Sequence, residues 1–226
     1  MLKFFAFPTK NSWDEDVFQL NTAGILTVVI LIVALIAIAL FIRSREESKK
    51  ISTKQLVFSA VAMALGIVTS MIKFFDLPMG GSITLFSMLF IVLIGYWYGA
   101  KVGIMTAVAY GLLQFVIEPV FYSIPQMIVD YPLAFGALGL SGFFQNCKHG
   151  LIKGYIAGVL GRYVFAFLSG LLFFAAYAKG SGMSAPIYSL AYNASYLLPE
   201  AVITLIIIAI PAVDKALKHI KQTACE

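Results

Sequence analysis

Charged residues are scarce in this chain. Asp, Glu, Lys and Arg make up 12% of its 226 residues, whereas 61% are hydrophobic and the mean hydropathy is +0.92. A soluble domain carries about twice as much charge. The composition therefore excludes an ordinary soluble domain and indicates a chain that mostly faces lipid or other helices.

Cysteine and histidine are also rare, with two of each. Cys147 and Cys225 are too few and too far apart for a disulfide framework, and no Cys/His cluster indicates zinc. The chain contains no GxSxG, HExxH or Walker A motif. We therefore predict that it is not an enzyme and has neither a cofactor nor a metal. Without a P-loop, any active transport requires ion coupling or a partner ATPase.

Long apolar runs, in contrast, are abundant. A transmembrane helix needs about 20 predominantly apolar residues, and residues 23–42 satisfy this without one charge. An acidic segment precedes this run, which favours a permanent anchor over a cleaved signal peptide. Six further spans are predicted, which differ less in hydropathy from their flanking segments. They lie at roughly 55–75, 83–99, 102–120, 124–145, 154–177 and 187–213.

The net charge of +5 comes from basic residues in short loops between these runs, a pattern that sets membrane orientation and does not indicate nucleic-acid binding. The segment 43–54 and the C-terminal tail are rich in Lys and Arg, so both are placed in the cytoplasm. The predicted fold is an all-α polytopic membrane protein with seven spans, N-out and C-in. Residues 1–50 form a tail, an anchor helix and a basic linker, and residues 51–226 form a six-helix membrane domain.

With this topology, several acidic and aromatic residues meet at the outer ends of the helices. They are Asp76, Glu118 and Asp130, the loop 77–84, the aromatic turn 120–126, and Tyr188 with Asn193. Aromatic faces attract a cation, a carboxylate offsets its charge, and an amide offers both donor and acceptor. The set predicts a site for a small cationic or nitrogen-rich aromatic ligand. The alternative is an interfacial aromatic belt with solvated carboxylates at helix ends.

Charges inside apolar helices are costly and therefore candidates for function. Asp130 follows Gln126 by one helical turn, and Pro132 loosens the backbone beside it. Glu200 continues a stripe from Tyr192 and Tyr196, where pairing within the bundle and ligand contact both remain open. Arg162 is expected at the cytoplasmic start of its helix, with its side chain extended toward the interface.

Small residues on the first helix of the body form a smooth face. Ala60 and Ala64 stand one turn apart, with Ser59, Ala62 and Gly66 nearby. Such faces permit close helix packing. The face either packs within the bundle or, through Ala60 and Ala64, docks another membrane subunit.

Four segments resemble the thiamine-specific substrate-binding (S) components of energy-coupling factor (ECF) ABC transporters. They are LPMGGSITLFSM at 77–88, Gln126 through DYPLAFGALGLSG at 130–142, RYVFAFLSGLLFFAAYA at 162–178 and YSLAYNASYLLPE at 188–200. The resemblance covers roughly residues 52–215. It implies high-affinity binding of extracellular thiamine in a bacterial plasma membrane, and association with a transmembrane T subunit and two ATPases.

The resemblance also implies roles for individual residues. Asp130 with Tyr131, Tyr188 with Asn193, and Gly170 with Phe174 correspond to ligand-binding positions, and Ala60 and Ala64 correspond to the face that contacts the T subunit. From the outer cluster, Glu118, Tyr122 and Gln126 complete the expected substrate-binding set.

The sequence departs from the family pattern at Ala166, where members carry a ligand-contacting His, and at Phe174, where some carry Trp. Loss of one polar contact costs about 1–3 kcal/mol. The same architecture tuned to a thiamine precursor such as hydroxymethylpyrimidine, or to a pyridoxine-like vitamin, is therefore an alternative. A ligand-free membrane assembly protein and an ion-coupled autonomous carrier are two others.

Overall fold

The computed structural model describes residues 6–10, 16–20, 22, 23, 26, 51–77, 80–179 and 181–226. Near the N-terminus, strands β1 (Ala6–Lys10) and β2 (Asp16–Leu20) pair antiparallel, with Ala6 opposite Leu20 and Lys10 opposite Asp16. The predicted anchor span, 23–42, lies almost entirely outside the described residues.

Six helices lie between residues 51 and 210, in the part of the chain for which the sequence predicts a six-helix membrane domain. They are α1 (Thr53–Ser70), α2 (Ser87–Tyr98), α3 (Ala100–Ile117), α4 (Ile124–Phe144), α5 (Gly150–Leu172) and α6 (Ala185–Ala209). A seventh helix, α7 (Pro211–Cys225), follows a break at Ile210. The predicted last span therefore ends earlier than residue 213, because extended backbone at Ile210 and a proline at the next position interrupt it.

Five of these helices, all except α2 and α7, are long and apolar enough to cross a membrane. Helix α2 has 12 residues, which at 1.5 Å per residue gives about 18 Å, whereas the hydrocarbon core measures about 30 Å. The prediction that the 83–99 segment is a full span is therefore wrong for the helix itself.

A β-hairpin precedes α2 and takes up residues that the sequence assigns to two spans and their loop. Strand β3 (Lys73–Asp76) pairs antiparallel with β4 (Ser82–Thr84). The fold is thus mainly helical, and the all-α prediction is wrong at this hairpin and at β1–β2. The strands have only four and three residues and adjoin apolar helices, so the hydropathy pattern does not separate them.

Helix α4 is irregular where the sequence places Asp130. It contains a π-helical turn, Val129–Leu133, that includes Pro132, and its last turns, Ala137–Phe144, are 3₁₀. Proline lacks an N–H and leaves a carbonyl one turn earlier without its helical partner, which favours the wider π turn. The 3₁₀ segment packs closely on α3, since a Cβ at Gly139 would lie 2.4 Å from the backbone nitrogen of Ile104.

Helix α1 begins with a capping box in which Ser52 and Gln55 exchange hydrogen bonds with each other's backbone N–H. Its small residues divide between two faces. Ser59, Ala62 and Gly66 are buried against the bundle, whereas Ala60 and Ala64 are exposed. The smooth face of the sequence is therefore two faces, one of which packs inside the bundle.

Candidate ligand-binding cavity

A cavity of about 400 Å³ lies between the β3–β4 hairpin and helices α3 to α6. This volume is in the range of small-molecule sites. Seven of the nine predicted substrate-binding residues line it, namely Glu118, Asp130, Tyr131, Gly170, Phe174, Tyr188 and Asn193. The folding of the chain thus brings to one site residues from helices α4, α5 and α6 and from the segments that follow α3 and α5, spread over 76 positions of sequence.

Acidic groups outnumber basic groups among the described lining residues, which include Asp76, Glu118, Asp130, Glu200, Lys73 and Arg162. Lys73 lies 2.7 Å from Glu118 and 3.3 Å from Asp76. The hydrogen bond with Glu118 raises the pKa of Lys73 above its ordinary value. These three side chains therefore offset one another at the end of the hairpin, which agrees with the alternative that Asp76 and Glu118 have structural roles.

Asp130 is different, because no Lys or Arg pairs with it among the residues that the structure describes. The π turn of α4 carries it, and its Oδ2 accepts a hydrogen bond from Gln126 Nε2 at 2.5 Å. A partly buried carboxylate without a cationic partner is costly. It is the group in this cavity that a cationic ligand would best compensate.

Gln126 and Tyr122 do not line the cavity. Gln126 is fully buried, and besides Asp130 its amide also bonds the backbone of Val120 and Tyr122. The ring of Tyr122 packs edge-on against Phe174, with centroids 5.1 Å apart. Both residues therefore contact residues that line the cavity: Gln126 contacts Asp130, and Tyr122 contacts Phe174.

Tyr131 ties the turn after α3 to α4. Its hydroxyl donates to the Glu118 carbonyl at 2.8 Å and accepts from the Val120 N–H at 2.8 Å. The same residue packs closely on α3, because a Cβ at Gly111 would lie 2.4 Å from the Tyr131 carbonyl oxygen. The hydroxyl thus makes its hydrogen bonds within the protein, and the ring packs against Phe115 and Phe135.

Asn193 bridges α5 and α6 through its amide. Nδ2 donates to the carbonyls of Ser189 and Ala166 at 2.9 and 3.2 Å, and Oδ1 accepts from Tyr196 at 2.7 Å. The carbonyl oxygen has a second lone pair, so it retains capacity for one more donor. The helices approach closely here, since a Cβ at Gly170 would lie 2.2 Å from Ser189 Oγ.

Aromatic rings form much of the remaining wall. Tyr188 and Tyr192 stack with centroids 6.2 Å apart, and Tyr192 meets Tyr196 edge-on at 5.7 Å. Phe174, just after the end of α5, also lines the cavity. Faces of this kind suit a flat, positively charged ring.

The Glu200 carboxylate forms hydrogen bonds at the N-terminal end of α2. It accepts hydrogen bonds from Thr84 Oγ1 at 2.7 Å, Ser87 Oγ at 3.2 Å and the Met88 N–H at 3.3 Å. The N-cap residue of α2, Phe86, has no side-chain cap of its own. Glu200 therefore caps α2 from another helix, and an anion at a helix N-terminus is stabilised by the dipole. Of the two possibilities left open for this residue, the structure shows pairing within the bundle.

Arg162 is not at the cytoplasmic start of its helix, and the prediction that its side chain extends to the interface is wrong. Helix α5 begins at Gly150, four residues earlier than predicted, so Arg162 stands about 18 Å along it. Its guanidinium lies 4.0 Å from the centroid of the Phe135 ring and lines the cavity. The residue was missed because the helix start was placed too late.

Known proteins resemble this chain over most of its length. The family model described as "Thiamine transporter protein" matches residues 56–220. The thiamine transporter ThiT of Bacillus subtilis is 33% identical over 168 residues, which cover 68% of this chain and 85% of that protein. ThiT of Lacticaseibacillus paracasei is 32% identical over 98 residues, covering 38% and 48% of the two chains.

Among solved structures, ThiT from Listeria monocytogenes matches with a TM-score of 0.56 and 27% identity over 70% of this chain and 90% of that one. These relatives are bacterial transporters, not enzymes. Together with the five helices that are long and apolar enough to cross a membrane, they identify a bacterial membrane protein of thiamine uptake. The chain belongs to the thiamine transporter family.

Proposed function

We propose that this protein binds thiamine in the cavity beside Asp130 and delivers it across the plasma membrane as the S component of an ECF transporter. Thiamine carries a permanent positive charge on its thiazolium ring and a neutral aminopyrimidine ring. The observation that carries the proposal is the carboxylate of Asp130, which lacks a cationic partner among the described residues and lies in a cavity walled by tyrosine and phenylalanine.

The charge on the loops supports an extracellular opening for the cavity. Lys101, Lys153 and the lysines of α7 belong to the helix ends opposite the cavity, and basic loops remain in the cytoplasm. The hairpin and the N-terminal ends of α4 and α6 then face outside. This orientation agrees with a cytoplasmic C-terminus.

Binding of thiamine to the purified protein tests the site directly. Asp130→Asn keeps the shape of the side chain and its hydrogen bond from Gln126 but removes the charge. Because a hydrogen-bonded charge contributes about 1.5–3 kcal/mol, we expect thiamine affinity to fall about 10- to 150-fold in calorimetric titrations. Asp214→Asn is the matched control, since Asp214 is at the opposite end and pairs with Lys218.

Unchanged affinity of Asp130→Asn would refute the role of this carboxylate. Competition by hydroxymethylpyrimidine or pyridoxine at least as strong as by thiamine itself would instead favour the related-vitamin alternative. Ala166, which lines the cavity where the family pattern has a polar side chain, is the observation that keeps this alternative open.

The T subunit is proposed to dock on α1. Ala60 and Ala64 are exposed there, and they share the helix surface with Val57, Val61 and Val68, which are 54%, 51% and 58% exposed. Small residues at i and i+4 let a second helix approach closely.

Ala64→Trp should therefore abolish co-purification with the T and ATPase subunits and leave thiamine binding by the isolated protein intact. Leu160→Trp, on the exposed face of α5, is the control for bulk. Thiamine uptake into vesicles that contain this protein without ATPase subunits would contradict the ECF assignment and favour an autonomous carrier.

A further inference from the structure

Ser169 is a buried hydroxyl without a hydrogen-bond partner in the described structure. The residue is 1% exposed, and no donor or acceptor meets hydrogen-bond geometry with its Oγ. It also lines the cavity. An unpartnered polar atom in such a place costs free energy unless something else satisfies it.

Several other hydroxyls in the bundle bond to the backbone of their own helix, and others, such as Ser189, bond to a neighbouring helix. Ser70 donates to the Ile67 carbonyl at 2.8 Å, Ser195 to the Tyr192 carbonyl at 2.7 Å and Thr204 to the Glu200 carbonyl at 2.8 Å. This local bond is the usual solution for Ser and Thr within a helix. Ser169 does not make it, although it stands in the regular helix α5.

The Ser169 hydroxyl instead lies close to the Asp130 carboxylate without meeting hydrogen-bond geometry. The carboxylate already accepts from Gln126. An ionised carboxylate only accepts hydrogen bonds, whereas a hydroxyl also donates. Side by side, the two groups present an acceptor and a donor to the same part of the cavity.

We propose that Ser169 is a ligand-contacting residue that, together with Asp130, binds the aminopyrimidine edge of thiamine. On that edge an amino group, which donates, stands beside a ring nitrogen, which accepts. The carboxylate of Asp130 accepts a hydrogen bond from the amino group, and the Ser169 hydroxyl donates a hydrogen bond to the ring nitrogen. This inference rests on the proposed thiamine-binding function and adds a specificity residue to it.

The position of Ser169 explains how the α5 wall remains polar. Ala166 and Gly170 on this helix, and Phe174 just after its end, offer no side-chain hydrogen bond. Ser169 follows Ala166 by three residues, about one helical turn, and both line the cavity. The hydroxyl therefore supplies a polar contact on the same wall, one turn from Ala166.

Titration of the full-length protein in detergent tests the proposal with two ligands. Oxythiamine carries an oxo group in place of the amino group and a hydrogen on the adjacent ring nitrogen, so its donor and acceptor are exchanged. We expect Ser169→Ala to weaken thiamine binding about 5- to 100-fold. It should change the weaker binding of oxythiamine by less than about twofold. Ser195→Ala, an exposed hydroxyl outside the cavity, should bind both ligands like the wild type.

Thermal unfolding without ligand separates a binding role from a structural one. Because Ser169→Ala removes an unpartnered group, its midpoint should equal or exceed that of the wild type. Unchanged thiamine affinity in Ser169→Ala would overturn the inference, and so would an equal loss of affinity for both ligands or a lowered midpoint. If the wild type itself binds no thiamine, the proposed function fails as well, whereas thiamine binding that is indifferent to Ser169 removes only this inference.

Discussion

Gly170 is the tightest point between α5 and α6 at the cavity wall. A Cβ there would lie 2.2 Å from Ser189 Oγ, 3.1 Å from Ser189 Cβ and 3.3 Å from Asn193 Nδ2. Ser189 Oγ donates to the Phe167 carbonyl at 2.8 Å, so it cannot turn away without losing that bond. Gly170→Ala should therefore push the two helices apart or break this contact.

The magnitude follows from three contributions. Overpacking costs about 1–3 kcal/mol and the lost hydrogen bond about 1 kcal/mol, whereas alanine gains about 1 kcal/mol over glycine in helix propensity. The net loss of stability is thus about 1–3 kcal/mol. For a chain of this size, this corresponds to a fall of roughly 2–12 °C in the unfolding midpoint. Thiamine affinity should fall too, because Asn193 moves with the contact.

Thermal unfolding of the detergent-solubilised protein measures the effect. Ser189→Ala in the Gly170→Ala background removes the Oγ and should restore part of the midpoint. Gly136→Ala is the control, since its new Cβ would meet only a Val108 methyl group, at 3.0 Å, which turns aside easily. A Gly170→Ala protein as stable as the wild type would refute the packing argument.

Three further predictions concern other parts of the molecule. Glu200→Leu should destabilise the protein by at least about 2 kcal/mol in thermal unfolding, because three buried donors lose their acceptor, whereas Glu200→Gln keeps an acceptor oxygen and should cost less. Glu118→Gln should cost under about 1 kcal/mol, since its pair with Lys73 is half-exposed. The pKa of Lys73 is raised, so the pair's contribution is fully present below the ordinary lysine value and is lost only as pH rises through the raised pKa. A protein lacking residues 1–50 should bind thiamine with wild-type affinity, because the family match spans 56–220.

Each of these predictions has an opposite result that is easy to recognise. Equal midpoints for wild type and Glu200→Leu would mean that the cap on α2 contributes nothing. If the stability difference of Glu118→Gln disappeared already between pH 7 and 9, the sign of the Lys73 shift would be wrong. A tenfold loss of affinity on deleting 1–50 would place the N-terminal segment at the site.

The helices of the body could be predicted from sequence because a run of apolar residues is a strong signal for a span. The predicted and observed starts and ends differ by two to five residues for most of the helices. The β3–β4 hairpin could not be predicted, since strands of four and three residues beside long apolar runs are too short to show an alternating pattern. Pairing between strands depends on contacts that hydropathy does not describe.

The site could be predicted in part for a similar reason. Asp130 is conspicuous as a charge in an apolar segment, and the neighbouring Pro132 marks irregular backbone. Arg162 is equally conspicuous, but its role depended on a helix start at Gly150 that only the structure shows. Ser169 has no signal in sequence, because a serine in an apolar helix normally bonds its own backbone.

The capping of α2 by Glu200 limits which wall of the cavity can be substituted to change its ligand specificity. The start of α2 and the hairpin present backbone N–H groups that no helical carbonyl satisfies. Tyr192 accepts from the Gly81 N–H at 3.0 Å, and Glu200 accepts from the Met88 N–H. Tyr192 and Glu200 on α6 thus hold the backbone of other segments, whereas the side chains of Ala166 and Ser169 on α5 make no such hydrogen bond. A new vitamin specificity would be reached most cheaply by substitutions on α5, with α6 left as it is.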